Sequence, residues 1–86
     1  MINVKGIMSF EISAEDMESA LDLANDKEFL KSLITIDGFK LTKIDNKGVT
    51  SLGNSDFDVE VEYVGTATPE AYKLLTVLSS TIESWI

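Results

Sequence analysis

Phe57-Asp58-Val59-Glu60-Val61-Glu62-Tyr63-Val64 alternates apolar and acidic side chains almost to its end. Successive side chains of an extended segment leave opposite faces, so Phe57, Val59, Val61 and Tyr63 share one face and Asp58, Glu60 and Glu62 the other. Asp56 precedes the run and makes four acids at every second position. The segment is predicted to be a strand that rests its apolar row on a core and turns its carboxylates away from it. The rest of the chain must supply the cover for that row.

Residues 2–12 alternate in the same way, with Ile2, Val4, Gly6, Met8, Phe10 and Ile12 on one face and Asn3, Lys5, Ile7, Ser9 and Glu11 on the other. They predict a second strand, with Gly6 as a bulge or a point of close approach. Ser13 then fits a helix N-cap with Asp16 at the capping-box position, and Glu15, Asp16 and Glu18 put negative charge in the first turn, where the helix dipole favours it. Met17, Ala20, Leu21 and Ala24 form an apolar helical stripe. Asn25-Asp26 interrupts it, and Phe29, Leu30, Leu33 and Ile34 resume it in a changed phase. Either one helix kinks near Asn25 or a second short helix starts with Asp26 as its cap; the change of phase favours a break.

Asp37-Gly38 predicts a turn and Phe39–Ile44 a further strand, with Phe39 and Leu41 inward. Asp45-Asn46-Lys47-Gly48 is a bulge or tight turn, after which Val49–Leu52 extends the strand or forms a short extra one. Gly53-Asn54-Ser55 reverses the chain into the acidic strand. Thr68 is the expected N-cap of the last helix, with Pro69 at its first position. Ala71, Leu75, Leu78, Ile82 and Trp85 recur at spacings of four, three, four and three, which predicts a helix running to the end of the chain.

The expected fold is therefore α+β, a two-layer sandwich in β-α-β-β-α order. A three-stranded antiparallel sheet carries the helices on one face and leaves the other wet. This arrangement resembles a ferredoxin-like fold without its final strand, and that resemblance implies the strand order 1-3-2, with the N-terminal strand as an open edge. With the first helix split, the order of elements also resembles that of a type I KH domain. The chain has no Gly-x-x-Gly clamp and no basic groove, so RNA binding is not implied.

Eighty-six residues make one domain. Fifteen acids against seven lysines give a net charge of −8, and the chain has no Arg, His, Cys or Gln. Without Cys there is no disulfide, thiolate nucleophile or zinc finger. Without His there is no imidazole proton shuttle, and without Arg no bidentate phosphate clamp. The negative field repels nucleic acid and anionic lipid alike, so neither direct nucleic-acid binding nor membrane association is expected. The N-terminal Met-Ile-Asn-Val-Lys-Gly has no long apolar stretch, and no run of about 18 apolar residues occurs. The expected setting is the cytoplasm.

The row Asp56, Asp58, Glu60 and Glu62 is the best functional candidate. Alternate strand residues stand about 6.6–6.8 Å apart, about two nucleotide rises along a DNA strand, a spacing that suits imitation of a phosphate backbone. The segment around the first helix adds Glu11, Glu15, Asp16, Glu18, Asp22, Asp26 and Glu28, and the two sets hold 11 of the 15 acids. The alternative is a solvated sheet face neutralised by Lys40 and Lys43 through cross-strand pairs, although four acids against two or three lysines leave a surplus.

A carboxylate pair, Asp56/Asp58 or Asp22/Asp26, would be the only basis for acid–base or metal chemistry. No accompanying nucleophile or orienting residue supports it, and Asp45-Asn46-Lys47-Gly48 lacks the acids of a calcium loop. No enzyme activity, cofactor or metal is expected. In size, charge and missing chemistry the chain resembles the small acidic inhibitors that phages and other mobile elements carry against host defence or DNA-handling proteins.

The expected role is binding of a basic protein partner, and its sharper form is inhibition of a nucleic-acid-binding or defence protein. Asp56, Asp58, Glu60 and Glu62 would make the contact with Glu15, Glu18 and Asp22. Trp85 and Ile86 either close the core or offer a contact for a partner or a second copy, and the alternative function is a self-associating assembly protein that uses an edge strand or the C-terminal helix.

Overall fold

The alternating run folds as an inner strand of an antiparallel sheet. The computed structural model describes residues 1–85, in the order β1 (Ile2–Ser13), α1 (Met17–Ala24), α2 (Lys27–Leu33), β2 (Phe39–Gly53), β3 (Asp56–Ala67), α3 (Pro69–Leu78) and β4 (Thr81–Trp85). The sheet has four strands in the order β2-β3-β1-β4. Phe57, Val59, Val61 and Tyr63 are buried beneath the helices, with Val4, Met8 and Ile12 of β1 on the same face. The helices contribute Ala20, Ala24, Leu30, Ala71 and Leu75 to this core. Three of those five are alanines, which let the helices approach the sheet closely.

The fold is α+β and antiparallel, but the expectation of three strands in β-α-β-β-α order is wrong. Helix α3 ends at Leu78, and Thr81–Trp85 lies along β1 as a fourth strand, with Asn3 opposite Trp85 and Ile7 opposite Thr81. β1 is therefore paired on both sides over Asn3–Ile7, and the outer strands of the sheet are β2 and β4. The physical reason is the unpaired backbone that β1 would otherwise present, which a strand satisfies and a longer helix does not. The 3.6-residue spacing of Leu75, Leu78, Ile82 and Trp85 competes with Ser79-Ser80-Thr81, a run of poor helix formers.

The break at Asn25 is present. Asp26 caps α2 by accepting from the backbone N–H groups of Glu28 (3.0 Å) and Phe29 (3.2 Å). At α1 the cap is Asp16, which accepts from Ser19 N at 2.8 Å, whereas Ser13 is still the last residue of β1. Thr68 caps α3 through Ala71 N (3.2 Å), with Pro69 opening the helix.

β2 is one fifteen-residue strand whose register slips at Leu41/Lys43, Asn46/Gly48 and Ser51/Gly53. Asp45–Gly48 is thus a bulge within it, where Asn46 Oδ1 accepts from Gly48 N at 2.9 Å. The β2–β3 hairpin closes through Asn54 and Ser55, both at positive φ (52° and 66°), the geometry of a two-residue type I′ turn.

Candidate functional site

Residues directly opposite one another in a sheet point to the same side, so the register defines the open face that the helices leave uncovered. On β3 this face carries Asp56, Asp58, Glu60, Glu62, Val64 and Thr66. Their neighbours on β1 are Ser13, Glu11, Ser9, Ile7, Lys5 and Asn3. On β2, Asp45 lies opposite Glu62, Lys43 opposite Val64 and Lys40 opposite Thr66. Two further acids, Glu11 beside Asp58 and Asp45 beside Glu62, therefore broaden the row into a patch of carboxylates.

Charge on this face is segregated along the strands. The acids of β1, β2 and β3 occupy the Asp56–Glu62 end, whereas Lys5, Lys40 and Lys43 stand beyond them, beside Val64 and Thr66, with the β4 acid Glu83 opposite Lys5. Among the described residues no lysine comes within ion-pair distance of Asp56, Asp58, Glu60 or Glu62; the contacts below 4 Å are Lys27–Asp45 (2.6 Å), Lys43–Asp45 (3.6 Å) and Lys31–Glu28 (3.9 Å). Neutralisation by Lys40 and Lys43 is thus not what the register gives: Lys40 faces Thr66, and Lys43 serves Asp45.

Asp45 differs from its neighbours in having two lysines. The hydrogen bond from Lys27 holds its carboxyl below the usual carboxylate range, with a smaller contribution from Lys43. Lys27 also donates to Ile44 O at 3.0 Å, so it ties α2 to the β2 edge. The polar partner of the acidic row is Ser13, whose Oγ donates to Asp56 Oδ1 at 3.3 Å.

The helix acids do not join this patch. Glu18 and Asp22 are exposed on α1, in the layer that covers the other face of the sheet. Glu15 lies in the β1–α1 turn, at the Asp56 end of the molecule, where Ala14 N donates to Ser55 O at 3.0 Å. A flat partner on the open face meets the row and its flanks but not Glu18 or Asp22. Proximity in sequence could not reveal this, since it does not say which side of the sheet a helix covers.

Trp85 does not close the core. It is 47% exposed and lies opposite Asn3, so the residues Lys40, Thr66, Asn3 and Trp85 form one line across all four strands, at the lysine end of the open face. Ile86 lies outside the described residues. Asp45 is the member of the patch that the sequence reading did not assign to it, and Glu11, grouped there with the acids around the first helix, belongs to β1. The alternation of β1 placed Glu11 on the outward face, and only the β2 bulges bring Asp45 into line.

On the helical side, a shallow apolar cavity of about 290 Å³ lies where α2 and α3 leave the middle of β1 uncovered, with Met8, Phe10, Leu33, Ile34 and Leu78 among its walls. None of the predicted acids reaches it. Among the described residues no three carboxylates converge closely enough to hold a metal ion, and no helix is long and apolar enough to cross a membrane. Compared with protein-family models, curated proteins and solved structures, the chain matches none.

Proposed function

We propose that this chain is a non-enzymatic acidic binding module whose open sheet face takes a basic protein partner. The observation that carries the reading is the stretch Asp56–Glu62, where four carboxylates in line, flanked by Glu11 and Asp45, have no lysine within ion-pair distance among the described residues. Like charges at neighbouring strand positions destabilise a sheet. A fold that needed the face only for solubility would do better with the two signs interspersed.

The sharper form of the proposal is an inhibitor that occupies the nucleic-acid groove of a DNA-handling or defence protein. The two-residue strand repeat, about 6.6–6.8 Å, sets carboxylates at intervals that lysines and arginines arranged for phosphates can meet. Binding of this kind is steered by long-range attraction, so association is fast and falls steeply with salt.

Affinity capture with the intact chain and with the Glu60→Lys/Glu62→Lys variant tests the reading. The intact chain is expected to retain a basic protein at low salt and release it at high salt, and the variant to retain none. Equal retention by both chains, with unchanged salt dependence, overturns it.

A further inference from the structure

β4 is lightly held. Of Thr81–Trp85 only Ile82 is even partly buried, and the strand rests on five ladder pairs with β1, from Ile7–Thr81 to Asn3–Trp85. It is reached from α3 through just Ser79 and Ser80. Ser79 already has extended backbone (φ −97°, ψ 141°), and Ser80 N donates to Ile7 O at 2.8 Å. Immediately before this joint, α3 turns Leu74, Val77 and Leu78 into water at 53%, 81% and 56% exposure. These three large apolar side chains sit together on the final turns of a ten-residue helix, in a chain of net charge −8.

We propose that this end of the molecule is the interface of a domain-swapped homodimer, in which β4 of each copy pairs with β1 of the other. The exchanged interface already exists within one chain, so the swap recreates each backbone pair and changes only the path of the two-residue joint. The ladder is complementary in charge, since Lys5 lies directly opposite Glu83. In a two-fold exchange the two joints pass side by side across the axis. The residues just before each joint are then brought against their symmetry mates. Here those residues are Leu74, Val77 and Leu78, exposed on the turns of α3 that lead into the joint. The exchanged part of β1, Asn3–Ile7, lies toward the lysine end of the sheet and meets the acidic row only at Glu62, opposite Ile7. This inference does not rest on the acidic face.

Cysteine pairing tests it without background, because the chain has no cysteine. Lys5→Cys and Glu83→Cys are made in separate chains, which are unfolded together, refolded at high protein concentration and mildly oxidised. The double variant in one chain checks that this pair of positions can form the bond. The expected product is a disulfide-linked dimer of one chain of each kind, in several-fold excess over either like-with-like dimer, with a two-chain mass in sedimentation. Val77→Asp/Leu78→Ser, placed at exposed positions, is expected to return the mass to one chain while far-ultraviolet circular dichroism is unchanged. A one-chain mass at every concentration overturns the proposal, and so does a dimer in which the mixed disulfide is no commoner than the others.

Discussion

Gly6 and Tyr63 face each other across β1 and β3, and the phenol ring occupies the space that any side chain at position 6 would need. A Cβ on Gly6 would stand 2.6 Å from Tyr63 Cζ and 2.9 Å from the carbonyl oxygen of Thr81. The glycine thus admits a fully buried tyrosine and, from the other side, the close approach of β4. The alternation of β1 marks Gly6 as a point of close approach, and the structure identifies what approaches.

Gly6→Ala is therefore expected to destabilise the fold by about 1–3 kcal/mol, the usual cost of overpacking a filled core. Urea unfolding followed by circular dichroism measures it. Hydrogen exchange is expected to show the largest loss of protection in the β1–β4 ladder, because Thr81 cannot withdraw without breaking it. An unchanged midpoint would mean that the ring moves aside freely.

The Tyr63 hydroxyl lies 2.6 Å from Ser79 Oγ, a bond that joins the central strand to the residue where α3 gives way to β4. Ser79→Ala leaves the buried phenol without this partner and is expected to cost about 1–3 kcal/mol. Tyr63→Phe leaves only the part-buried Ser79 hydroxyl, which can turn to water, and is expected to cost less. The double variant should be less destabilised than the sum of the two, and a double-mutant cycle in urea reads the difference.

Burial pushes the Tyr63 hydroxyl above its ordinary value near 10, although the Ser79 bond opposes the shift. The raised value means that the folded chain keeps its proton where the unfolded chain has begun to lose it. This contribution to stability is intact below about pH 10 and declines as the pH rises from there through the folded value. Unfolding free energies measured across alkaline pH are expected to fall less steeply for Tyr63→Phe than for the intact chain. Parallel curves would remove Tyr63 as the cause.

If the acidic row serves binding at the expense of stability, relieving it should strengthen the fold. Glu60→Lys, flanked along β3 by Asp58 and Glu62, is expected to stabilise by several tenths to about 1 kcal/mol at low salt. The gain should shrink as the screening length drops below about 10 Å, above 0.1 M salt. Thermal melts at low and high ionic strength provide the measurement. A loss of stability would show that the row is compensated within the fold.

The caps give a contrast between two neighbouring positions. Asp16→Ala removes the acceptor of Ser19 N and is expected to cost about 0.5–2 kcal/mol, whereas Ser13→Ala removes only the exposed bond to Asp56 and should cost less. The carboxyl of Asp16 is held below its ordinary value chiefly by that backbone bond. Its contribution is therefore present above about pH 4 and declines as the pH falls through the lowered value. Melting temperatures of both variants across acid pH check the difference.

What the sequence determined by itself was local and periodic. The two-residue repeat of Phe57–Tyr63 fixes which side chains of β3 face the core, because a one-residue slip would bury the acids and expose the apolar row. Asp26, Thr68 and Pro69 act within one turn of their own helices, so their roles were legible without any partner. Ser13 and Asp16 were equally local, but both can cap, and the choice of Asp16 depended on how far β1 stays paired with β3.

Tertiary structure alone decided the C-terminal strand and the makeup of the acidic face. The apolar spacing from Ala71 to Trp85 suits a helix. The open edge of β1 and the hydroxyl of Tyr63 draw the residues after Leu78 into an extended path, where their backbone groups find partners that an isolated segment lacks. The β2 bulges then bring Asp45 beside Glu62, and the packing of α1 on the opposite face takes Glu18 and Asp22 away. A residue's face in a strand is a property of its neighbours in sequence. The company it keeps there depends on how the strands pair.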